Sequence, residues 1–184
     1  AVSGVNLFNS DGDVWRRQRR LLQPAFHMRR IVGFADTMIE ESERLLQDWA
    51  ANPAIASGQP VDVEQEMVRI TLSIVGKALF GVDMQEAGRG QELSAAFASN
   101  ALWINHKLNN VLAAPLWLPT RLNRNFKQSR AAASQLIGEI IADRRRDIGE
   151  HNDFLQMLLD VRYEDTGEGM SDEQLINESG AFFF

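Results

Sequence analysis

The chain has 184 residues, of which 45% are hydrophobic and 24% are charged, and this composition excludes an intrinsically disordered protein. The formal net charge of −6 argues against a protein that wraps nucleic acid, because such domains are basic, and we expect no nucleic-acid partner. Cysteine is absent, which excludes disulfides, thiolate nucleophiles and thiolate ligands to a metal within these residues.

Both ends of the chain have the character of an internal segment. Residue 1 is Ala rather than Met, and three consecutive phenylalanines occupy 182–184. Soluble proteins avoid an exposed apolar cluster of this size at a free terminus. We therefore expect the sequence to be a fragment, a single partial domain over 1–184, of a longer protein.

Helical periodicity and helix-capping residues predict helices along most of the chain. The first can be capped by Ser10 or Asp11, and Pro24 is expected to stop it. Asp62 and Ser171 each precede Gln by three residues, which is the spacing of a capping box. The predicted helices cover 15–22, 31–52, 61–80, 93–108, 123–146 and 153–161, and a last one runs from 171 to the end.

The helix over 61–80 is apolar around most of its circumference, so we expect it to be central in the fold. The stretch 55–60 is predicted to be a loop. The segment 111–119 has no charge and two prolines, and it is interpreted as buried packing or a lid rather than a membrane contact. Because no alternating β-branched run is long enough for a strand, the fold class is all-α.

The first predicted helix combines an indole with a dense group of arginines. Trp15 and Arg19 are four residues apart and lie on one helical face, where their N–H groups suit a carboxylate or a phosphate. The other arginines would form a basic patch around the helix: Arg16, Arg17, Arg20, Arg29 and Arg30. A solvated basic face with no ligand is the alternative that this spacing leaves open.

Other catalytic or metal-binding patterns have little support. His27, His106 and His151 lack the close spacing of metal ligands, so we expect no metal site. Neither a G-x-S-x-G elbow nor a phosphate-binding P-loop is present. The acidic pairs at 40–41 and 172–173 are expected to be solvated, because helix surfaces and first turns favour such residues.

Four segments together resemble the cytochrome P450 monooxygenases. Residues 12–26 resemble the signature of helix C in that family, Trp-x-x-x-Arg followed by Arg and then by Pro-x-Phe. The run 7–10 resembles the loop that crosses above the haem, 154–159 is similar to helix H, and 170–175 resembles the start of helix I. The resemblance covers the whole chain and implies a partial cytochrome P450 fold, from helix C to the first half of helix I, without the N-terminal sheet or the haem-ligand region.

The resemblance also implies roles for individual residues. Trp15 and Arg19 match the pair that hydrogen-bonds a haem propionate. Phe8 would lie over the haem on the substrate side, and Gly180 and Phe184 would line the substrate pocket from helix I. The face that receives an acidic electron donor would be formed by Arg16, Arg17 and Arg20.

The implied whole protein is a haem-thiolate monooxygenase that inserts one oxygen atom of O2 into a small, apolar organic substrate. Its electrons would come from NAD(P)H through a ferredoxin, a flavodoxin or a reductase domain. The resemblance places the Cys iron ligand beyond residue 184, so no catalytic or metal-ligating residue is expected in this chain and the fragment alone is predicted to be inactive. A bacterial enzyme of this kind would be cytoplasmic, and any membrane anchor would precede residue 1. The alternative is a helical binding or regulatory module that uses Arg16–Arg30 to bind an acidic partner.

Overall fold

The computed structural model describes residues 4–26, 28–83, 90–110, 113–147, 149–163 and 166–183. Every regular element in these ranges is helical, which confirms the predicted all-α fold. These ranges contain α1 (Gly12–Leu22), a 3₁₀ helix (Gln23–Phe26), α2 (Met28–Ala51), α3 (Pro53–Ala56), α4 (Val63–Phe80), α5 (Gly90–Asn109), α6 (Arg121–Arg146), α7 (Phe154–Asp160) and α8 (Asp172–Phe183). No helix in the described part of the chain is both long and apolar enough to cross a membrane.

Side-chain caps define the starts of five of the described helices. The caps predicted at Asp62 and Ser171 are confirmed, since each side-chain oxygen accepts the backbone N–H three residues further on, at 3.1 and 3.2 Å respectively. Asp153 caps α7 with the same spacing, at 2.9 Å. Thr120 caps α6 in the same way, with Oγ1 3.1 Å from the backbone N of Asn123. This helix therefore begins at Arg121, two residues before the predicted start.

The start of α1 differs from the prediction. Asp11 occupies the N-cap position, but its side chain makes no capping hydrogen bond, and Ser10 Oγ donates to Oε1 of Gln18 at 2.7 Å. The α-helix does end before Pro24, as expected, and the chain continues as the 3₁₀ helix to Phe26. A proline at this position is compatible with a 3₁₀ turn because it lacks only the N–H donor.

The loop predicted over 55–60 is partly wrong, since Ile55 and Ala56 belong to the short helix α3. The side chain of Asn52 accepts the backbone N–H of Ala54 at 3.0 Å, and Pro53 occupies the first helical position. Proline is favoured there because its missing N–H would have no partner. One helical turn therefore forms before the loop.

The core lies where α4, α6, α7 and α8 meet, and α4 also packs against α2 and α5. The predicted central position of α4 is therefore confirmed. Burial of each large aliphatic or aromatic side chain contributes about 1.5–3 kcal/mol. The most deeply buried core side chains are Leu22, Phe80, Ile137, Leu155, Leu158 and Leu175. Since Leu22 and Leu175 share this core, it holds α1 and α8 together.

A buried charge network joins α2 to α4. Glu41, which was expected to be solvated, is only 4% exposed. Its carboxylate accepts hydrogen bonds from Ser73 Oγ at 2.6 Å and from Lys77 Nζ at 2.5 Å, and the same ammonium lies 3.1 Å from Asp83. The prediction for Glu41 is wrong because the packing of α4, not the sequence of α2, decides which face of α2 is covered. Its neighbour Glu40 is exposed, as predicted.

This network makes stability dependent on pH. Burial raises the pKa of Glu41, but hydrogen bonds from Lys77 and Ser73 outweigh burial and hold the pKa below its ordinary value of 4.5. Such a carboxyl adds stability that is present above its unfolded pKa and is lost as the pH falls through the folded pKa. We expect Glu41→Gln to lower the free energy of unfolding at pH 7 by about 1–3 kcal/mol.

The loss should shrink on acidification below pH 4.5 and vanish as the pH falls through the lower folded pKa, because the wild-type carboxyl is then protonated in the folded state as well. Urea unfolding of the whole protein at pH 7 and in this acidic range tests the prediction. The exposed neighbour provides a matched control, and Glu40→Gln should change little at either pH. An equal loss for Glu41→Gln at both pH values would contradict the electrostatic explanation.

A second buried ion pair joins the ends of three helices. Nη1 of Arg144 donates to Oδ1 of Asp153 at 2.8 Å, and Nη2 donates to the carbonyl oxygen of Phe80 at 2.7 Å. Gly81 follows with a φ of +63°, and a Cβ there would collide with the Asp153 carboxylate. Both the conformation and the space require glycine at this position. The C-terminal ends of α4 and α6 are thereby fixed to the start of α7.

Candidate functional site

The turn before α1 is held by its own side chains. Oδ1 of Asn6 accepts the backbone N–H of Phe8 at 3.0 Å, and Oδ1 of Asn9 accepts that of Asn6 at 2.8 Å. The side-chain amide Nδ2 of Asn9 donates to the carbonyl oxygen of Gly4 at 3.0 Å. Asn side chains commonly stabilise turns by replacing backbone hydrogen bonds in this way. The turn over residues 4–9 is therefore a compact unit.

This turn directs the ring of Phe8 onto α8. The ring is 68% exposed and contacts Phe182 edge to face, with 5.3 Å between ring centroids. Phe182 also contacts Phe26 and Phe154, at 5.4 and 4.8 Å. Phe8 is thus the most exposed member of an aromatic cluster that links the turn, the 3₁₀ helix, α7 and α8.

Of the other two residues predicted for the same pocket, the structure describes only Gly180. A Cβ at Gly180 would lie 3.7 Å from Cδ1 of Ile137, a core residue of α6. Successive helical residues are rotated by about 100°, so Gly180 and Phe182 face opposite sides of α8. The structure therefore does not bring Gly180 to the ring of Phe8. Phe184 lies outside the described residues.

The structure brings Trp15 and Arg19 together on one face of α1. The guanidinium carbon of Arg19 lies 5.2 Å from the centroid of the Trp15 ring. Trp15 is 37% exposed and Arg19 is also exposed. Among the described residues no carboxylate pairs with Arg19. One guanidinium and one indole N–H, both hydrogen-bond donors, therefore lie on this exposed face.

The remaining arginines of α1 line a surface groove of about 460 Å³ together with the segment that follows α7. Arg17 lies over the ring of Tyr163 at 4.0 Å, and the hydroxyl of Tyr163 donates to Oε1 of Gln174 at 2.8 Å. Arg16 pairs with Asp13 at 2.9 Å. The polar and charged residues of this basic groove are Asp13, Arg16, Arg17, Arg20, Arg162 and Tyr163.

The sequence pattern does not indicate Arg162 and Tyr163, because they are about 140 residues away from α1 along the chain. The side chains of Arg29 and Arg30, the other members of the predicted basic patch, lie outside the described residues, and so does His27. In the described ranges no group of acidic residues and histidines is arranged to hold a metal ion.

A family model described as "Cytochrome P450" matches residues 2–184. The chain belongs to the cytochrome P450 family. The family resemblance and the partial cytochrome P450 fold predicted from the sequence motifs are therefore both confirmed.

Individual cytochromes P450 match nearly all of this chain. Cyclooctatin synthase of Streptomyces melanosporofaciens is 33% identical over 95% of the chain, and cyclooctat-9-en-7-ol 5-monooxygenase of the same organism is 27% identical over 97%. The crystal structure of the cytochrome P450DA heme domain superposes on 98% of the chain with a TM-score of 0.74 at 27% identity. The chain spans 37–38% of the length of these proteins.

Proposed function

We propose that this chain is the part of a haem-dependent monooxygenase that binds one haem propionate through α1 and forms a wall of the substrate pocket with Phe8. The observation that carries the proposal is the pair Trp15 and Arg19, which offers donors on one exposed face with no competing carboxylate among the described residues. This donor set fits a propionate, because guanidinium and N–H groups are the usual partners of a carboxylate.

When bound, the haem supplies an iron that activates O2, and the whole protein inserts one oxygen atom into a small organic substrate. Family membership supports this activity, and the relative cyclooctat-9-en-7-ol 5-monooxygenase carries it in its name. The residues of this chain hold the haem and orient the substrate. Arg19 donates a charge-assisted hydrogen bond to the propionate, Trp15 donates a second from its indole N–H, and the ring of Phe8 limits how the substrate approaches.

The proposed haem-thiolate ligand is a Cys outside these residues, because the chain contains none. We therefore propose that the chain is inactive by itself. The whole protein would act in the cytoplasm if it is bacterial, and a membrane anchor would precede residue 1 if it has one.

The basic groove is the proposed docking face for the electron donor. Arg16, Arg17 and Arg20 were assigned to it from the family resemblance, and Arg162 extends its positive surface. An acidic ferredoxin, flavodoxin or reductase domain that carries electrons from NAD(P)H fits this charge. Association of oppositely charged proteins is accelerated by long-range attraction and weakens as salt screens it.

The same groove favours a second candidate, a helical binding module that recognises an acidic protein without any haem. The two functions differ in one measurement. The whole protein should contain close to one haem per chain and should oxidise small apolar substrates when supplied with NAD(P)H and a redox partner. A whole protein without haem that still binds acidic proteins through the groove would favour the binding module.

The exposed ring of Phe8 gives a prediction about regioselectivity. A ring beside the reacting centre restricts which substrate carbon can approach, and a misplacement of about 1 Å can change a rate on the order of 100-fold. We expect Phe8→Ala to change the ratio of products in the whole enzyme several-fold while haem content stays the same. Leu46→Ala, an exposed apolar position on α2, serves as the control. The same product ratio in wild type and Phe8→Ala, over several substrates, would remove Phe8 from the pocket.

A further inference from the structure

A buried carboxyl group in α8, which no role described above uses, joins this helix to the turn that carries Phe8. Glu178 is 0% exposed. Its Oε2 accepts a hydrogen bond from the backbone N–H of Leu7 at 3.1 Å, and the two residues are 171 positions apart in the chain. Glu178 is therefore a direct polar connection between the turn and α8.

The group is costly to bury, so its presence is not explained by stability. Transfer of a carboxyl group out of water is unfavourable unless all its hydrogen bonds are replaced. Among the described residues, Oε1 of Glu178 and the hydroxyl of Ser179 have no hydrogen-bond partner. Burial raises the pKa of Glu178, and the hydrogen bond from Leu7 opposes this rise. An apolar side chain would fill the same space without the loss of hydration.

Three successive contacts place the turn in one register on α8. Gly4 packs so closely on the side chain of Asn177 that a Cβ at Gly4 would collide with it. Glu178 holds the backbone of Leu7, and Phe182, one helical turn further along, contacts the ring of Phe8. We call the hydrogen bond from the Leu7 backbone to Glu178 the tether. Because the turn is internally hydrogen-bonded, this tether also fixes the next residue, Phe8.

We propose that Glu178 is a positioning residue: through the backbone of Leu7 it sets the place of the Phe8 ring, and thereby determines which carbon of the substrate reaches the reactive centre. This inference rests on the proposed function, in which Phe8 forms a wall of the pocket. It adds a residue that does not touch the substrate and that lies far from Phe8 in the sequence.

Amide hydrogen exchange of the haem-loaded whole protein tests the tether without any reaction. We expect Glu178→Leu to accelerate exchange of the Leu7 amide about 10-fold, which corresponds to the loss of one hydrogen bond of about 1.4 kcal/mol. Glu178→Gln keeps a carbonyl acceptor of the same reach and should retain the wild-type rate. Ser179→Ala, which removes the adjacent buried hydroxyl, is the matched control and should also retain it.

Product ratios test the consequence for the pocket. Glu178→Leu should shift them in the same direction as Phe8→Ala, whereas Glu178→Gln and Ser179→Ala should leave them unchanged. In a Phe8→Ala background the further change Glu178→Leu should have no effect, because two residues that act through one ring are not additive. A merely structural role for Glu178 would lower protein yield without producing this pattern.

Several outcomes would overturn the inference. Unchanged Leu7 exchange in Glu178→Leu would remove the tether, and faster exchange with unchanged product ratios would show that the tether does not set the pocket. An additive effect in the Phe8→Ala background would exclude action through Phe8.

If Glu178→Leu does not fold, Glu178→Asp, whose carboxylate is one methylene too short to reach Leu7, replaces it in both tests. A whole protein without haem or product would refute the proposed function and the pocket role with it, while the exchange rate would still report on the tether separately.

Discussion

Replacement of Arg19 by Leu should cause the whole protein to lose most of its haem. The propionate beside α1 would keep its negative charge and lose a charge-assisted hydrogen bond worth about 1.5–3 kcal/mol. This corresponds to haem affinity that is weaker by roughly 10- to 150-fold. Haem content after dilution and the rate of haem transfer to an acceptor protein measure the effect.

Two variants on the same helix make this result specific. Arg16→Leu removes an arginine whose side chain is 71% exposed and pairs with an exposed carboxylate, so haem content should be retained. Reduction by an acidic donor should instead slow down, most strongly at low salt. Arg19→Lys keeps the charge without the planar fork and should give intermediate haem retention. Equal haem retention in wild type and Arg19→Leu would refute the propionate assignment and leave the solvated basic helix.

Loss of the buried ion pair at the end of α6 should have the largest effect on stability. Arg144→Leu leaves the carboxylate of Asp153, which is 8% exposed, without its cation, and also leaves the carbonyl of Phe80 without its donor. Breaking a buried pair by removing one partner costs about 3–5 kcal/mol, because the remaining charge is buried and uncompensated. We expect the midpoint of urea unfolding of the whole protein to fall accordingly.

The next residue along the chain supplies the control. Arg145 pairs with Asp172 at 2.6 Å, but the two side chains are 49% and 67% exposed. An exposed pair contributes about 0–1 kcal/mol, so Arg145→Leu should change the unfolding midpoint little. Similar effects of the two substitutions would contradict the claim that burial gives the first pair its importance.

The sequence determined those features that depend on neighbouring residues. The caps at Asp62 and Ser171 were predictable, because a cap needs only a side-chain acceptor three residues before a backbone N–H. The pairing of Trp15 with Arg19 was predictable for a similar reason, since residues four apart share a face of any α-helix. The all-α fold and the family also followed, from periodicity and from ordered motifs.

Only the tertiary structure decided which polar groups are buried and which remote segments meet. Glu41 looks like a surface residue in the sequence of α2 and is buried because α4 packs over it. Tyr163 joins Arg17 across the basic groove, and Glu178 reaches Leu7 across 171 positions. No local pattern encodes such contacts, because each results from the docking of helices whose relative positions are set by the shared core.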